Sequence, residues 1–257
     1  MSVTRNRRWI VRGLCLVLLS PGAAAGVDGP DAADILKRCD RAESFESVYS
    51  EARQVIITTS GQERTLVIRS WAIDNGDKQL VEYLAPADIK GQKILLTEDG
   101  DNIWMYNPET RRTRKLGSHM KKKKMMGSDF TYEDQSAGKI SEKYTGTLLR
   151  EEQQAGVDCF VVELKPTPKG PSYDKVIAWI NRASFVILRV DYYQDDEDAP
   201  FKRLTTEDFR VLSNRHVPHK ITMTNLEDKT QTTHVITRFQ HGVEIPPSIF
   251  ESRNLEG

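Results

Sequence analysis

The stretch that most constrains the fold runs from Leu84 to Leu116, because it contains the clearest hairpin signal in the chain. Asp99-Gly100 separates two runs in which apolar and polar residues alternate, which is typical of a β-hairpin. The strand after the turn carries large apolar groups on both faces, Ile103 and Met105 on one and Trp104 and Tyr106 on the other. Such a strand must be covered on both faces, or face a core on one side and an apolar cavity on the other.

The same alternation continues along most of the chain after Phe45, with turn residues at short intervals and no linker or repeat. The pattern predicts strands at residues 48–59, 64–73, 79–84, 93–97, 102–107, 111–116, 144–150, 157–165, 175–181, 186–193, 201–212, 217–225 and 230–239. One amphipathic helix is predicted from Asp31 to Ser44. The apolar side of this helix consists of Ala32, Ile35, Leu36 and Cys39.

A sheet with about a dozen strands cannot stay flat and open, since strands twist and wide sheets curl or close. A barrel with that many strands is wider than its own side chains can fill. The predicted fold is therefore mainly β, in the α+β class. It is a curled antiparallel sheet around a space that a helix or loops must plug or a ligand must occupy, within a single domain over residues 26–257.

Alternation divides the later strands into a charged face and an apolar face. The charged face is expected to carry Lys165, Arg189, Asp191 and Lys220. The apolar face is expected to carry Phe160, Val162, Leu164, Ile177, Trp179, Val186, Leu188, Ile221 and Met223. Two interpretations are open. The apolar face lines a cavity for apolar cargo, or it packs against the helix at 31–44 and other covers as a dry core.

The first 25 residues have the pattern of a secretory signal, which would be removed after Ala25. Four arginines precede an apolar run from Leu14 to Leu19, and small residues follow at 21–25. That run is too short to serve as a stable membrane anchor, and no later segment has the length of a transmembrane helix. We therefore expect an exported protein with no lipid anchor.

Charge and motifs exclude several function classes. Without the signal the chain has 33 basic and 37 acidic side chains, which argues against nucleic-acid binding. No nucleophile elbow, phosphate loop, dinucleotide fingerprint or zinc-protease motif is present. His216 and His219 lie close together but lack further ligands, so we expect a surface turn there and no metal. We predict no enzymatic activity and no cofactor. Cys39 and Cys159 either form a disulfide or are two buried thiols.

The segment at 117–138 departs most from the strand pattern, and long loops in compact domains are usually functional or disordered. Met125, Met126 and Phe130 suit an adaptable lid over an apolar opening. Lys121, Lys122, Lys123 and Lys124 are candidates for contact with anionic headgroups or an acidic partner. The alternatives are a solvated lysine turn and two core methionines. Ser128 or Thr131 is expected to cap a short helix.

Several of these segments resemble one family. Residues 31–36 with Ser44-Phe45 are similar to the opening helix of the LolA-like outer membrane lipoprotein-sorting family. Residues 98–108 resemble that family's strand pair with the pattern DG-x-x-x-W-x-Y-x-P. A narrower LolA-like branch is similar through Lys90-Gly91, 126–130, Trp179-Ile180 and 220–223. Together these segments span most of residues 31–250.

The resemblance implies an incomplete β-barrel with helices as a lid, an apolar cavity, no catalysis, and transfer of acylated or lipid cargo across the periplasm. The carrier proper has an arginine that latches its lid, in the loop after its tryptophan strand. In the matching loop at 74–78, this chain offers only Lys78. A lysine does not reproduce the two-pronged hydrogen bonding of arginine.

Two hypotheses follow. The first is a periplasmic carrier of lipoprotein acyl chains or another lipid, which moves its cargo from the inner toward the outer membrane. Its partners would be an inner-membrane exporter and an outer-membrane acceptor, with transient contact to the membrane surface. The second is a periplasmic lipid sensor that binds a membrane signalling or transporter protein. The candidate lipid-binding residues are Trp71, Tyr83, Trp104, Tyr106, Met125, Met126, Phe130, Phe160 and Trp179.

Overall fold

The computed structural model describes residues 30–136, 138–195 and 198–256. The predicted signal at 1–25 lies outside these residues. The helices are α1 (Ala32–Glu43), α2 (Tyr132–Gln135) and α3 (Ile140–Lys143). The strands are β1 (Ser47–Ile57), β2 (Glu63–Ile73), β3 (Lys78–Ala85), β4 (Lys93–Thr97), β5 (Asn102–Asn107), β6 (Arg112–Lys115), β7 (Tyr144–Gln154), β8 (Val157–Pro166), β9 (Lys175–Asn181), β10 (Ile187–Tyr193), β11 (Lys202–Leu212), β12 (Arg215–Asn225) and β13 (Thr230–His241). Every strand predicted from the sequence is present.

The strands form one antiparallel sheet in the order β6-β5-β4-β3-β2-β1-β13-β12-β11-β10-β9-β8-β7. The sheet is not closed, since β6 and β7 are its two edges. The predicted hairpin joins β4 to β5, with Leu95 opposite Trp104. Glu98 and Asp99 have φ values of 55° and 53° in its turn. These observations confirm the predicted fold class, which is mainly β with one large antiparallel sheet that is not closed.

We call the face of the sheet that α1 covers the inner face. Cross-strand partners point to the same side of a sheet, so the register traces this face from strand to strand. One row runs from Ile56 in β1 through Thr232, Met223, Leu204 and Val190. It joins the apolar cluster under α1 to a second cluster around Tyr83, Ile94 and Ile103. The inner face therefore carries two neighbouring apolar clusters, with the polar side chain of Thr232 between them.

The outer face carries apolar clusters of its own. In β9, Ala178 and Ile180 point inward, whereas Ile177 and Trp179 pack outward with Val161 and Leu188. The expectation that Ile177, Trp179 and Leu188 share a face with Phe160 is therefore wrong. The expected turn at His216 and His219 is also wrong, because both lie in β12. Pro218 is tolerated there because this part of β12 pairs with β11 only, which makes it a local edge.

α1 forms because its sequence combines a capping residue with one apolar side. The Asp31 carboxylate accepts a hydrogen bond from the Ala33 amide at 3.2 Å, which caps the first turn. Ile35, Leu36 and Cys39 are each 1 % exposed and pack on the inner face. Gly146 in β7 permits this contact, since a Cβ there would lie 3.2 Å from Leu36 Cδ1. Cys39 and Cys159 are free buried thiols in separate clusters.

Candidate functional site

The second cover of the inner face is the segment 117–136, which we call the strap. Its centre is a small hairpin in which the Met125 amide donates to the Phe130 carbonyl at 2.8 Å. Thr131 then caps α2 as part of a capping box with Asp134, which confirms the cap predicted at this residue. The strap is therefore an ordered element with local structure of its own, which can seat side chains on the sheet.

Apolar anchors of the strap reach both inner clusters. Phe130, 4 % exposed, packs in the cluster under α1 that contains Phe160 and Met223. Met125 and Tyr132 pack in the cluster around Tyr83, and Met126 lies partly buried against it. The strap and α1 thus cover neighbouring parts of one apolar face. Since neither is a β-sheet, this face lacks the second sheet that would bury it in a β-sandwich.

A buried carboxylate attaches the hairpin of the strap to β13. The Asp129 side chain is 2 % exposed. It accepts hydrogen bonds from Thr232 Oγ1 at 2.8 Å and from Thr230 Oγ1 at 2.5 Å. Thr232 Oγ1 also accepts from the Asp129 amide at 2.9 Å. Lys124 Nζ lies 3.4 Å from Asp129 and 3.0 Å from Asp228, so it bridges the strap to the β12–β13 turn.

A second buried group attaches α2 to β11. Lys202 Nζ donates to Asp134 Oδ2 at 2.8 Å, and these side chains are 4 % and 3 % exposed. Tyr173 Oη donates to Asp134 Oδ1 at 2.7 Å. Burial first, and then the Asp134 charge, raise the pKa of Tyr173, so its phenol stays protonated and can donate. Lys202 also lies 4.7 Å from the centre of the Tyr192 ring. Charge and hydrogen bonds are therefore matched where water is excluded.

The structure separates the candidate lipid-binding residues into two groups. Tyr83, Met125, Met126, Phe130 and Phe160 lie on the inner side, in the strap or under it. Trp71, Trp104, Tyr106 and Trp179 lie on the outer face, three of them against Phe250 and Leu255 near the C-terminal end of the described chain. The inner face also holds two buried polar atoms with no partner among the described residues, Gln54 Oε1 and Tyr83 Oη.

The four lysines of the strap do not act as one patch. Lys121 pairs with Asp101 at 2.9 Å, and Lys124 pairs with Asp129 and Asp228 as described. Lys122 and Lys123 are exposed. Any contact with a headgroup or partner is therefore expected from the middle pair, while the outer pair holds the strap in place.

Sequence reasoning missed the residues that attach the strap. The sequence analysis gave no role to Asp129, Asp134, Lys202 or Tyr173. One signal was available for Lys202, because it lies in phase with Leu204 on the apolar side of its strand. A charge in phase with a buried row requires a buried partner. The partner could not be inferred, because Asp134 is 68 residues away.

A depression beside the strap, between the β4–β5 turn, α2 and the loop before β9, is small and polar. This depression has a volume of about 210 Å³ and is lined by strap and loop residues that include Asp99, Lys121, Asp134 and Lys143. Sites for drug-sized ligands usually occupy ~300–1,000 Å³ and are mostly apolar. This depression is therefore too small and too polar to hold an acyl chain.

His234 makes the stability of the inner face depend on pH. It lies between Gln54 and Ile221 on neighbouring strands, and burial lowers its pKa to about 4 from 6.5. We expect the free energy of unfolding to fall as pH decreases from 6.5 to 4, because the unfolded chain binds this proton first. A pKa shift of this size corresponds to a decrease of about 3 kcal/mol in the free energy of unfolding. This value is an upper limit, because part of His234 is exposed to solvent.

Urea unfolding across this pH range measures the effect. His234→Gln is expected to flatten the decrease, whereas His119→Gln, at an exposed site, should leave it unchanged. Equal pH profiles for wild type and His234→Gln would show that His234 is freely protonated in the native state.

Within the described residues, no group of three or more His, Cys, Asp or Glu side chains is arranged to hold a metal ion. A search of the same residues finds no helix long and apolar enough to cross a membrane.

Comparison with known proteins agrees with this architecture. A crystal structure from Vibrio parahaemolyticus, described as an outer membrane lipoprotein-sorting protein domain, is 25 % identical with a TM-score of 0.81, over 88 % of this chain and 98 % of that chain. A DUF1329 family protein from Desulfovibrio piger is 23 % identical with a TM-score of 0.80, over 87 % and 97 %. A LolA superfamily protein from Nitrosomonas europaea is 20 % identical with a TM-score of 0.72, over 87 % and 98 %.

A search of curated proteins gave no match. A protein-family model described as "Uncharacterized protein" matches residues 75–257, which is more than half of the chain. The chain therefore belongs to the family that this model describes, and its fold is similar to that of outer membrane lipoprotein-sorting and LolA superfamily proteins, as the resemblance of its sequence implies.

Proposed function

We propose that this protein is a periplasmic carrier that binds the acyl chains of a lipoprotein or another lipid on its inner face. The main observation behind the proposal is the way in which the inner face is covered. Two neighbouring apolar clusters of the inner face are closed by one helix and a strap, and the strap is held by the Asp129 and Asp134 attachments. Contacts of this kind can be exchanged for cargo contacts without separating strands.

Binding and release of cargo, as proposed, require no covalent step. Each buried methylene of an acyl chain contributes about 0.8 kcal/mol, so one chain supplies enough free energy to displace part of the cover. Tyr83, Met125, Met126, Phe130 and Phe160 would contact the chain, and the unpartnered Gln54 and Tyr83 oxygens would meet its polar groups. Release would require a receiver that binds the cargo better, and exposed Lys122 and Lys123 would meet the membrane surface or a partner protein.

The deciding experiment is native mass spectrometry of protein purified gently from the periplasm, followed by transfer between donor and acceptor vesicles. A carrier is expected to release a discrete lipid or acylated species and to move lipid between vesicles. A lipid sensor would bind the same species and fail to transfer it. A clean apo mass with no uptake would make the inner face a dry core.

A matched pair of variants tests which face binds cargo. Ile221 and Leu188 are both partly buried aliphatic residues in strands, Ile221 on the inner face and Leu188 on the outer face. We expect Ile221→Asn to weaken binding of a fluorescent acyl probe about tenfold, because it removes roughly 1.5 kcal/mol of apolar contact. Leu188→Asn should leave the dissociation constant unchanged. Equal losses in the two variants would contradict an inner-face site.

A further inference from the structure

A basic groove lies outside the strap, between the second half of α1, the β9–β10 turn and the β11–β12 turn. Its volume is about 560 Å³. Arg38, Arg41, Arg215 and His216 supply all its ionisable groups, and no carboxylate lines it. The whole chain has equal numbers of basic and acidic side chains, 37 of each. The groove gathers three arginines, of which Arg38 alone pairs with a carboxylate within the described residues, so it is a local concentration of positive charge that favours an anionic ligand.

The local sequence fixes the walls of the groove. Arg38 and Arg41 are three residues apart on α1 and so share one side of the helix. Ser213 and Asn214 both have positive φ, 47° and 62°, which makes a two-residue hairpin turn and places Arg215 at the start of β12. On the opposite wall, the Asn181 side chain accepts hydrogen bonds from two backbone amides of the β9–β10 turn, at 2.8 and 3.1 Å.

Two of the three arginines are held by aromatic rings, which leaves hydrogen-bond donors available. Arg38 lies 5.0 Å from the centre of the Phe185 ring, and Arg215 lies 4.7 Å from that of Phe45. Arg38 Nε is 2.8 Å from Asp34. Neither Arg41 nor Arg215 has an ion pair within the described part of the chain. A stacked guanidinium keeps its N–H edge free, and its planar fork matches the oxygens of a phosphate.

The groove is continuous with the apolar inner face. Phe185, in its lining, packs against the inner cluster under α1, with its ring 6.2 Å from that of Phe160. A ligand held by the arginines would therefore have an apolar surface beside it, leading toward the candidate cargo site. This arrangement suits an amphiphile whose headgroup is anionic.

We propose that the groove binds the phosphate group of an anionic amphiphile, with the acyl part directed along Phe185 to the inner face. The direction of the acyl part rests on the proposed carrier function. Recognition of the phosphate group rests on the groove alone. The proposal narrows the cargo to molecules that carry a phosphate ester beside an acyl chain.

The test compares two double variants that remove the same charge. Arg41→Gln/Arg215→Gln empties the groove of its two unpaired arginines, and Arg112→Gln/Arg114→Gln removes two exposed arginines of β6. The probes for isothermal titration calorimetry are inorganic phosphate, dioctanoyl phosphatidic acid and neutral dioctanoylglycerol, all below their aggregation limits. Urea unfolding confirms that both double variants remain folded.

We expect the wild type and the β6 variant to bind phosphatidic acid at least about tenfold more tightly than dioctanoylglycerol. The groove variant is expected to bind the two lipids with equal affinity. The preference should decrease with added salt. The proposal is overturned if the wild type shows no preference, or if the β6 variant loses as much as the groove variant. Binding of inorganic phosphate alone, abolished in the groove variant while neither lipid binds, would keep the anion site and remove the carrier function. Binding of both lipids with equal affinity would keep the carrier function and remove the anion site.

Discussion

Replacing Lys202 with methionine is expected to lower the free energy of unfolding by about 3–5 kcal/mol, because it leaves the Asp134 carboxylate buried without its cation. Methionine has a similar length, so little packing is lost. The hydroxyl of Tyr173 and the cap at Thr131 remain, but they cannot replace a charge 2.8 Å away. Urea unfolding monitored by circular dichroism measures the change.

Two controls make this result specific to the buried pair. Lys122→Met, at an exposed position of the strap, should change stability by no more than ~0.5 kcal/mol. The double variant Lys202→Met/Asp134→Asn should recover at least half of the loss, because the buried charge is then removed while the amide can still cap α2. A loss below ~1 kcal/mol for Lys202→Met would show that Asp134 has access to solvent or another cation.

Replacing Phe130 with alanine is expected to detach the strap at a cost of about 3–5 kcal/mol, the usual loss for a buried phenylalanine. The loss should appear as local opening. Amide hydrogen exchange should accelerate at Met125 and Tyr132, whose N–H groups bond to the Phe130 and Lys123 carbonyls within the strap. Exchange at Val162, in the centre of β8, should remain slow. Loading of an acyl probe should become faster in the same variant.

The matched control for this experiment is Met126→Ala, since Met126 belongs to the same hairpin but is only partly buried. It should accelerate exchange far less. If Phe130→Ala accelerates exchange equally in the strap and in β8, the strap opens only when the whole domain unfolds. The inner face could then not be uncovered by moving the strap alone.

The strands could be predicted because alternation and turn chemistry are local. Asp99-Gly100 located the hairpin that the structure shows, and the apolar spacing of Ile35, Leu36 and Cys39 located α1. Local signals also limited the cap of α2 to Ser128 or Thr131, of which the structure uses Thr131. These features depend on residues within a few positions of one another, where backbone geometry decides the outcome.

The assignment of faces could not be predicted where both faces are apolar. Trp104 and Trp179 alternate with residues that are equally apolar, so period alone does not say which set meets α1. The attachments of the strap were beyond prediction for another reason. Asp129 and Thr232 are 103 residues apart, and their pairing follows from how the sheet curls. The basic groove likewise combines α1 with turns far along the chain.

The order of the strands has a consequence for how the chain reaches its native state. Every pair of neighbouring strands is consecutive along the chain except β1 and β13. Hairpins close short loops at little entropic cost, whereas the β1–β13 ladder joins residues as distant as Val48 and His241. Long-range pairing of this kind slows folding. The slowest step of assembly therefore involves the ladder on which the strap is seated. Asp129 of the strap bonds to Thr232 in β13, and Met125 packs with Ile56 in β1, so the strap reaches its native position only once this ladder has formed.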